Sequence, residues 1–515
     1  MSLSSEKGAG KHALELVETG AQAQSAAATP TSFGAQFKYL WRSKRTVLAA
    51  LGCSTTPVLI GYDLTLIGSI IANKEFVKDF GVFDNSLGQW TLPANRQLIW
   101  TIVQFVAAIL SALGSGQLND IFGRRVCFFI TIGLTTAGAL VELFSPDWKV
   151  WLVAKLLMGA AMGSMQANTQ TFVSEVTPVQ IRGFTLSLFQ FWIILGSLIA
   201  ACVLQGTSLI GSSWSWKAAV ITQFVPAVLS LMLFIPFVPE SPYYLVSKGR
   251  VDDARRALAR IRDPIHHDVD AELLEIQNTL EHERQQNSNT DSSSYLECFQ
   301  KTDLRRTMLA CLPMFMQIML GFPICGNYLA YFLTLSGVTD AFLITVISIT
   351  FSMLAAIFAF VLIERVGRRP QLLVGSYGML VCLLVISLLG FFGRGQVWNS
   401  RALAAFCIIW AIFYYSSVGA VGWTIVGEIS SSRLRAKTTS LAAISNSFVN
   451  MAWSIAIPYL VNTEEANLGA KSALIFLGIG LVLTVVAFFT VPETKGKTFH
   501  ELDDLFIAHT PAREF

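Results

Sequence analysis

The feature that most constrains the fold of this chain is a series of twelve apolar segments, each long enough to cross a lipid bilayer. An α-helix rises 1.5 Å per residue, so about 20 apolar residues cross about 30 Å of hydrocarbon. Six segments precede the long polar stretch at residues 239–306, and six follow it. The sequence therefore predicts an all-α membrane protein with twelve transmembrane helices in two six-helix halves. The segments begin near Thr46, Gln97, Val126, Val150, Phe184, Trp216, Thr307, Phe342, Pro370, Ala402, Thr438 and Lys471.

Composition excludes a water-soluble protein of this size. Of the 515 residues, 53% are hydrophobic and 14% are charged, and the mean hydropathy is +0.54, which is too apolar for a soluble chain. The eight cysteines lack the spacing of metal or redox motifs, and the six histidines lie in the tails and the central loop. No Walker-type phosphate loop occurs. We therefore expect neither an enzyme nor a bound metal or cofactor.

Two stretches of ten residues repeat the same pattern in corresponding halves of the chain. Residues 116–125 read GQLNDIFGRR and residues 360–369 read FVLIERVGRR. Each copy places an acid, a turn glycine and two arginines between two apolar segments. Internal duplication of this kind is the usual ground plan of secondary transporters, so the two predicted halves are expected to be related by pseudo-symmetry.

The predicted spans divide the chain into five regions. These are a disordered tail at 1–45, a first half at 46–238, a linker at 239–306 with amphipathic helices, a second half at 307–491 and a tail at 492–515. Placing both tails and the linker on one side puts all but nine of the 37 Lys and Arg residues there, which predicts that this side is cytoplasmic. Anionic lipid, and not nucleic acid, is the expected neighbour of these loops.

Six motifs in register resemble those of the sugar porter family of the major facilitator superfamily. Two of these motifs are the duplicated loops. The other four are residues 175–183 (EVTPVQIRG), 239–245 (PESPYYL), 428–437 (EISSSRLRAK) and 492–496 (PETKG). Residues 61–63, 66–76 and 458–471 most resemble fungal alpha-glucoside and lactose permeases. The resemblance implies the major facilitator fold and transport by alternating access. Phe360 replaces the glycine with which the family's second loop begins.

Acids at helix ends and arginines in the opposing loops can form ion pairs that close the cytoplasmic side while the outer side is open. Such pairs are two-state elements. The alternative is that the positive loops only set the topology. The gating candidates are Asp120, Arg124, Glu175, Arg182, Glu364, Arg368, Glu428 and Arg435.

Asp63 is an ionisable residue inside the first span, and such residues are costly and usually functional. It lies 17 residues after Thr46, or about 25 Å along a helix, at a depth similar to that of Lys155. The resemblance implies that this pair couples protons to transport, with Lys155 at a position where the family commonly has arginine. The alternative is a static ion pair. Glu142, close to the outer end of the third span, is expected to be solvated.

The substrate site implied by the resemblance contains Gln190, Gln317 and Trp423. A sugar requires amide partners for its hydroxyls and an aromatic face for its ring. Five other family positions differ, because this chain has Ile318, Pro323, Ala420 and the pair 446–447 (NS). Asn446 and Asn450, one helical turn apart, are further candidates, with interhelical hydrogen bonding as the alternative.

These observations predict a proton-coupled symporter of a sugar, either a hexose or an alpha-glucoside, in the plasma membrane. The altered site leaves a second possibility, a carrier or exporter of a non-sugar metabolite such as a polyol, an aromatic acid or a secondary metabolite. A third possibility is a sugar sensor that does not transport. We disfavour it because only about two dozen residues follow Pro492, whereas the family's sensors signal through long tails. The expected partners are a carbohydrate, protons and the lipid bilayer.

Overall fold

A computed structural model describes most of the chain from Lys44 onwards. The described residues are 44–70, 73–84, 89–207, 210–262, 268–286, 295–327, 329, 341–392, 397–431, 433–461, 468–497, 499–508 and 510–513. The tail predicted at 1–45 therefore lies outside the described residues except for its last two positions.

The first half is built from long helices that run between two faces of a bundle. A short helix and a two-stranded hairpin follow the first span, with Phe83 paired to Trp90. The elements are α1 (Lys44–Ser54), α2 (Pro57–Ile70), α3 (Lys74–Phe80), β1 (Val82–Asp84), β2 (Gln89–Thr91), α4 (Ala94–Phe122), α5 (Arg124–Leu143), α6 (Trp148–Val176), α7 (Val179–Thr207), α8 (Trp214–Ile221) and α9 (Phe224–Phe237).

The second half repeats this plan with two broken segments. The first break lies at Gly321, whose φ of +100° favours glycine. The second lies at Ser417, between α16 and α17. The elements are α13 (Lys301–Met319), a π-helical turn (Pro323–Asn327), α14 (Ala341–Arg365), α15 (Arg368–Phe391), α16 (Val397–Ser416), α17 (Val418–Ile429), α18 (Arg435–Val461), a 3-10 turn (Gly469–Ser472) and α19 (Ala473–Thr490).

Eleven segments of the described residues are long and apolar enough to cross a membrane. The predicted span from Thr307 is the one missing from this set, because α13 ends just before the break at Gly321 and residues 328 and 330–340 fall outside the described part of the chain. Large apolar side chains such as Leu110, Val374 and Phe489 are more than half exposed on the outer surfaces of these helices, as expected for contact with lipid. The all-α membrane fold predicted from the sequence is confirmed.

The described parts of the linker fold against the bundle. It contains α10 (Pro242–Ser247), α11 (Val251–Ile261), α12 (Val269–Gln286) and a 3-10 turn (Tyr295–Phe299). The buried Arg262 donates to the carbonyl of Val176 at 3.0 Å and pairs with Glu272 at 2.5 Å. At the other end, Glu297 pairs with Arg433 of the second half. We call the end of the bundle that the linker covers the linker face, and the other end, which carries α3 and the hairpin, the opposite face.

The segment expected as a C-terminal tail contains a docked helix, α20 (Phe499–Ile507). Its Leu502 and Phe506 are buried. Asp503 pairs with Arg306 at 2.5 Å, and the Arg306 guanidinium also lies over the Phe506 ring. Residues 499–507 thus pack against the start of the second half and are not a free extension.

Candidate functional site

The two duplicated loops form two matching ion pairs on the linker face. Gly123 and Gly367 have φ of +90° and +103°, a conformation that side chains disfavour, and they turn the chain into the next helix. Arg124, which follows the first, makes a bidentate pair with Glu175 at 3.1 and 2.9 Å. Arg368 makes the equivalent pair with Glu428 at 3.1 and 2.8 Å. Bidentate charge-assisted pairs are the strongest of their kind, and each of these holds one half together.

The residues after the last span of each half complete these clusters, and the sequence reasoning missed this role. Glu240 accepts from the backbone N–H of Arg124 at 2.8 Å, and Ser241 donates to Glu175 at 2.5 Å. In the second half Glu493 accepts from the backbone N–H of Arg368 at 3.0 Å, and Thr494 donates to Glu428 at 2.5 Å. Burial raises the pKa of Glu240, and the backbone N–H groups oppose that rise. The sequence signal that could have revealed this role is the tripeptide Pro-Glu-Ser/Thr, which occurs at residues 239–241 and again at residues 492–494.

Replacing Arg368 by glutamine should destabilise the whole fold. Arg368 is 1% exposed, and its loss leaves the buried Glu428 without its cation. Breaking a buried ion pair from one side costs about 3–5 kcal/mol. We expect the midpoint of thermal unfolding in detergent to fall by several degrees, while Arg365→Gln, at an exposed position three residues earlier, leaves it unchanged. Equal midpoints for the two variants would contradict this account.

A different set of contacts joins the two halves across the linker face. Lys437 of α18 reaches Asp120 of α4 at 2.5 Å, and Glu364 of α14 accepts from the backbone N–H of Phe184 in α7 at 2.9 Å. Thr171 and Thr439 share a hydrogen bond of 2.7 Å. These contacts close the linker face, with α4 packed against α18 and α7 against α14 and α17.

The eight gating candidates therefore divide by position. Asp120 and Glu364 contact the other half directly, and Asp120 also lies 3.7 Å from Arg124 within its own half. Arg435 packs its guanidinium 5.5 Å from the ring of Tyr243, at the start of the linker. Arg182 is buried and precedes Gly183, where a side-chain Cβ would lie only 2.0 Å from a guanidinium nitrogen of Arg368. The remaining four, Arg124, Glu175, Arg368 and Glu428, pair within their halves.

Phe360, which replaces the family's glycine, contributes to the contact between the halves. Its ring centroid lies 5.1 Å from that of Phe184 and 5.6 Å from that of Phe191, both in α7. The bulky side chain therefore fills the interface between α7 and α14 with aromatic contacts.

Asp63 and Lys155 lie together inside the first half. Their Oδ1 and Nζ atoms are 3.0 Å apart, and Gln104 of α4 donates to Asp63 Oδ2 at 2.6 Å. Lys155 is fully buried, while the Asp63 side chain retains 8% exposure. Asp63 also lines a cavity between α2, α5 and α6, together with Leu59 and Met162. The pairing expected from their depth is present, and sequence reasoning did not identify Gln104.

The expectation that Glu142 is solvated is wrong. Its side chain is fully buried, its Oε1 lies 2.5 Å from Lys155 Nζ, and Gln223 donates to its Oε2 at 3.2 Å. The physical reason is that an aromatic cluster of α3, α4, α6 and α8 covers this end of the helix. Phe76, Trp100, Trp151 and Trp216 are at most 2% exposed, and water is excluded. The sequence signal that could have identified this contact is that Glu142 lies at a depth in the membrane similar to that of Lys155.

Three amide candidates form a chain at the break between α16 and α17. Gln317 donates to the carbonyls of Val418 and Gly419 at 3.3 and 3.1 Å. Asn446 donates to Gln317 Oε1, and Asn450 donates to Asn446 Oδ1, both at 3.3 Å. Gln317 thereby links α13 to the first residues of α17, directly after the break.

Trp423 lies at the contact between the halves. Its ring centroid is 4.8 Å from that of Phe189 in α7, and the two pack in one cluster with Met165 and Met314. Gln190 follows Phe189 and is 5% exposed. A side chain at Gly422 would approach Gln317 Nε2 within 2.7 Å, so Trp423 and the amide chain are neighbours. Among the residues that differ from the family pattern, Ile318 is buried and Pro323 begins the π-helical turn.

This arrangement of two pseudo-symmetric helical halves, with a buried charge network and an amide and indole cluster between them, is that of a secondary transporter. The family described as "Sugar (and other) transporter" matches residues 49–506. The chain belongs to this family, a sugar porter branch of the major facilitator superfamily.

Individual relatives agree with this assignment. The chain is 29% identical over 472 residues to the major facilitator-type transporter ecdD of Aspergillus rugulosus, covering 89% of this chain and 86% of that protein. It is 30% identical over 485 residues to the general alpha-glucoside permease of Saccharomyces cerevisiae, covering 92% of this chain and 77% of the permease. Its fold is similar to that of the E. coli proton:xylose symporter XylE bound to 6-bromo-6-deoxy-D-glucose, with a TM-score of 0.76 at 20% identity, covering 90% of this chain and 100% of that chain.

Proposed function

We propose that this protein is a plasma-membrane carrier that moves a sugar together with a proton by alternating access. The linker face, with both tails, is assigned to the cytoplasm, in agreement with its excess of Lys and Arg. The observation that carries the proposal is the buried network of Asp63, Lys155 and Gln104, because charge inside a membrane is retained where it has a function. The sugar assignment draws on the similarity to the general alpha-glucoside permease.

The transport cycle follows from the contacts that differ between the two faces. The contacts of Asp120 with Lys437 and of Glu364 with Phe184 hold the linker face closed. A proton that binds Asp63, whose carboxyl lines the cavity between α2, α5 and α6, neutralises it and weakens its attraction to Lys155. The link between α2 and α6 then loosens, and the halves rock to open the linker face.

The substrate binds between the halves, where Trp423 supplies a flat apolar face. Gln317, Asn446 and Asn450 supply amides that can exchange contacts for sugar hydroxyls, since the four hydrogen bonds that join them to one another and to α17 are 3.1–3.3 Å long. Gln190 supplies a further amide from the first half. Each hydroxyl paired in this way contributes about 0.5–1.5 kcal/mol net.

A second candidate function is export or uptake of a less polar metabolite by the same fold. The observation in its favour is the apolar surrounding of Trp423, which packs with Phe189, Met165 and Met314. Ile318 also takes the place of a family amide. A site with fewer amides binds a sugar less well and an aromatic or polyketide-like ring better.

Uptake by a yeast strain that lacks its own sugar transporters tests the proposal. Cells expressing this chain would be given radiolabelled glucose, xylose, maltose and lactose, with and without a protonophore. We expect accumulation of at least one sugar, and its loss with the protonophore. If none of the four is taken up and an aromatic acid or polyol is, the second candidate replaces the first.

Asp120→Asn should shift the carrier toward states open at the linker face. The substitution removes the charge that attracts Lys437 across the interface, and a two-state equilibrium moves by the stabilisation that one state loses. The readout is labelling of a cysteine placed at Ala443, a fully buried position of α18, by an impermeant maleimide from the cytoplasmic side. Labelling should be faster in Asp120→Asn than in the exposed linker variant Asp252→Asn. Equal rates would refute the gate role of Asp120.

A further inference from the structure

Glu142 is a carboxylate with no part in the transport cycle described so far. It is completely buried and lies on α5. Lys155 Nζ lies 3.0 Å from Asp63 and 2.5 Å from Glu142, so one ammonium contacts two carboxylates from two different helices. Gln104 and Gln223 donate to the outer oxygens of the two acids.

The charges of this triad do not balance when all three groups are ionised. Two carboxylates and one ammonium carry a net charge of −1 in a site where Lys155 and Glu142 are fully buried and the Asp63 side chain is only 8% exposed. The charged groups that act on Glu142 are Lys155 and Asp63, and the partners from α4 and from the α8–α9 turn are neutral amides. A buried net charge is expensive, whereas one bound proton makes the triad neutral. Interacting carboxylates of this kind titrate as a unit.

We propose that Asp63 and Glu142 share a single transported proton around Lys155, with Glu142 as the second carboxylate of the proton-coupling site. This inference rests on the proposed proton coupling and extends it to a residue outside the pair implied by the family resemblance. One proton enters from the opposite face onto Asp63, the triad passes from −1 to neutral, and Lys155 stays charged and paired with Glu142. The same proton leaves from Asp63 toward the linker face.

The geometry assigns different parts to the two acids. Asp63 retains partial exposure and lines the cavity, so it exchanges the proton. Glu142 and Lys155 are sealed, with the Lys155 ammonium 5.2 Å from the ring centroid of Trp151 in the aromatic cluster. When Asp63 is protonated, Glu142 holds the lysine against α5. The contact between α2 and α6 is thereby released while that between α5 and α6 persists.

Infrared spectroscopy of the purified protein tests the shared proton without any substrate. Wild type should show a protonated carboxyl C=O band, between about 1700 and 1760 cm⁻¹, that disappears as the pH is raised. Asp63→Asn and Glu142→Gln should each shift this band toward acid, out of the pH range in which the wild-type band titrates, because one carboxylate and one lysine are already neutral without a proton. Lys155→Gln should about double it, since neutrality then requires two protons. Asp147→Asn, an exposed carboxyl on the same face, should leave it unchanged.

The result that overturns the proposal is a band that titrates at the wild-type pH in Glu142→Gln, because the proton then belongs to Asp63 alone. Absence of any titrating band in wild type overturns it equally. Glu142→Asp keeps a carboxylate and should retain the band, which separates loss of the proton site from loss of folding. The two proposals can fail separately. If none of the four radiolabelled sugars is taken up but the infrared band behaves as expected, the assignment of a sugar substrate is wrong and the shared proton is still supported.

Transport supplies a second readout. In Glu142→Gln, Asp63 is the only carboxylate of the triad that remains to pair with Lys155. The proton therefore competes less well with Lys155 for Asp63. The pH at which uptake of radiolabelled maltose is half maximal should move at least about one unit toward acid, with the maximal rate preserved. A merely structural Glu142 would lower the rate at every pH without moving the profile.

Discussion

Asp63→Asn is expected to abolish accumulation of substrate against its gradient while leaving exchange of substrate across the membrane intact. The amide keeps the size and the hydrogen bond with Gln104, but it can no longer exchange a proton or compete for Lys155. The halves can then rock without a proton, and the gradient no longer drives them. We expect the accumulation ratio to fall to about one, the largest functional effect predicted for a single substitution.

Counterflow and net accumulation in reconstituted vesicles measure the two activities separately. Asp147→Asn is the matched control, because Asp147 is an exposed carboxyl on the same face and asparagine also caps a helix well. Accumulation by Asp63→Asn equal to that of wild type under a proton gradient would disprove the coupling role of Asp63.

Trp423→Ala should weaken substrate binding more than any other substitution at the amide and indole cluster. It removes the ring that packs 4.8 Å from Phe189 at the contact between the halves. We expect the concentration for half-maximal uptake to rise about tenfold or more, which corresponds to about 1.4 kcal/mol. Gln190→Ala and Gln317→Ala should each have a smaller effect, of about 0.5–1.5 kcal/mol per lost partner.

Loss of a large buried ring also costs folding stability, about 3–5 kcal/mol for Trp→Ala. Trp216→Ala serves as the matched control, since Trp216 is equally buried but lies in the aromatic cluster of the opposite face. Both variants should lower the thermal midpoint, and only Trp423→Ala should change the half-saturating concentration at matched protein levels. An unchanged concentration in Trp423→Ala would place the substrate elsewhere.

The sequence predicted the helical halves well because a bilayer imposes a length and an apolar composition on each spanning helix, and both can be read directly from the sequence. The seventh predicted span is less regular than expected, since Gly321 and Pro323 break the segment from Thr307. The repeated motif predicted pairs of acids and arginines, but their partners depend on packing. Asp120 contacts Lys437, a residue not among the candidates, while Arg435 packs on Tyr243.

By itself the sequence determined the architecture, the family and the depth of Asp63 and Lys155, because these follow from helix rise, hydropathy and local motifs. The tertiary structure alone decided what surrounds each charge. Glu142 lies near a helix end, where the sequence favours water, yet α3 and four aromatic rings seal it against Lys155. The depth of a residue along its helix depends only on the residues of that helix, so it can be read from the local sequence. Burial depends on which distant segments pack over that depth, and only the assembled bundle brings α2, α4, α5 and α6 around one lysine.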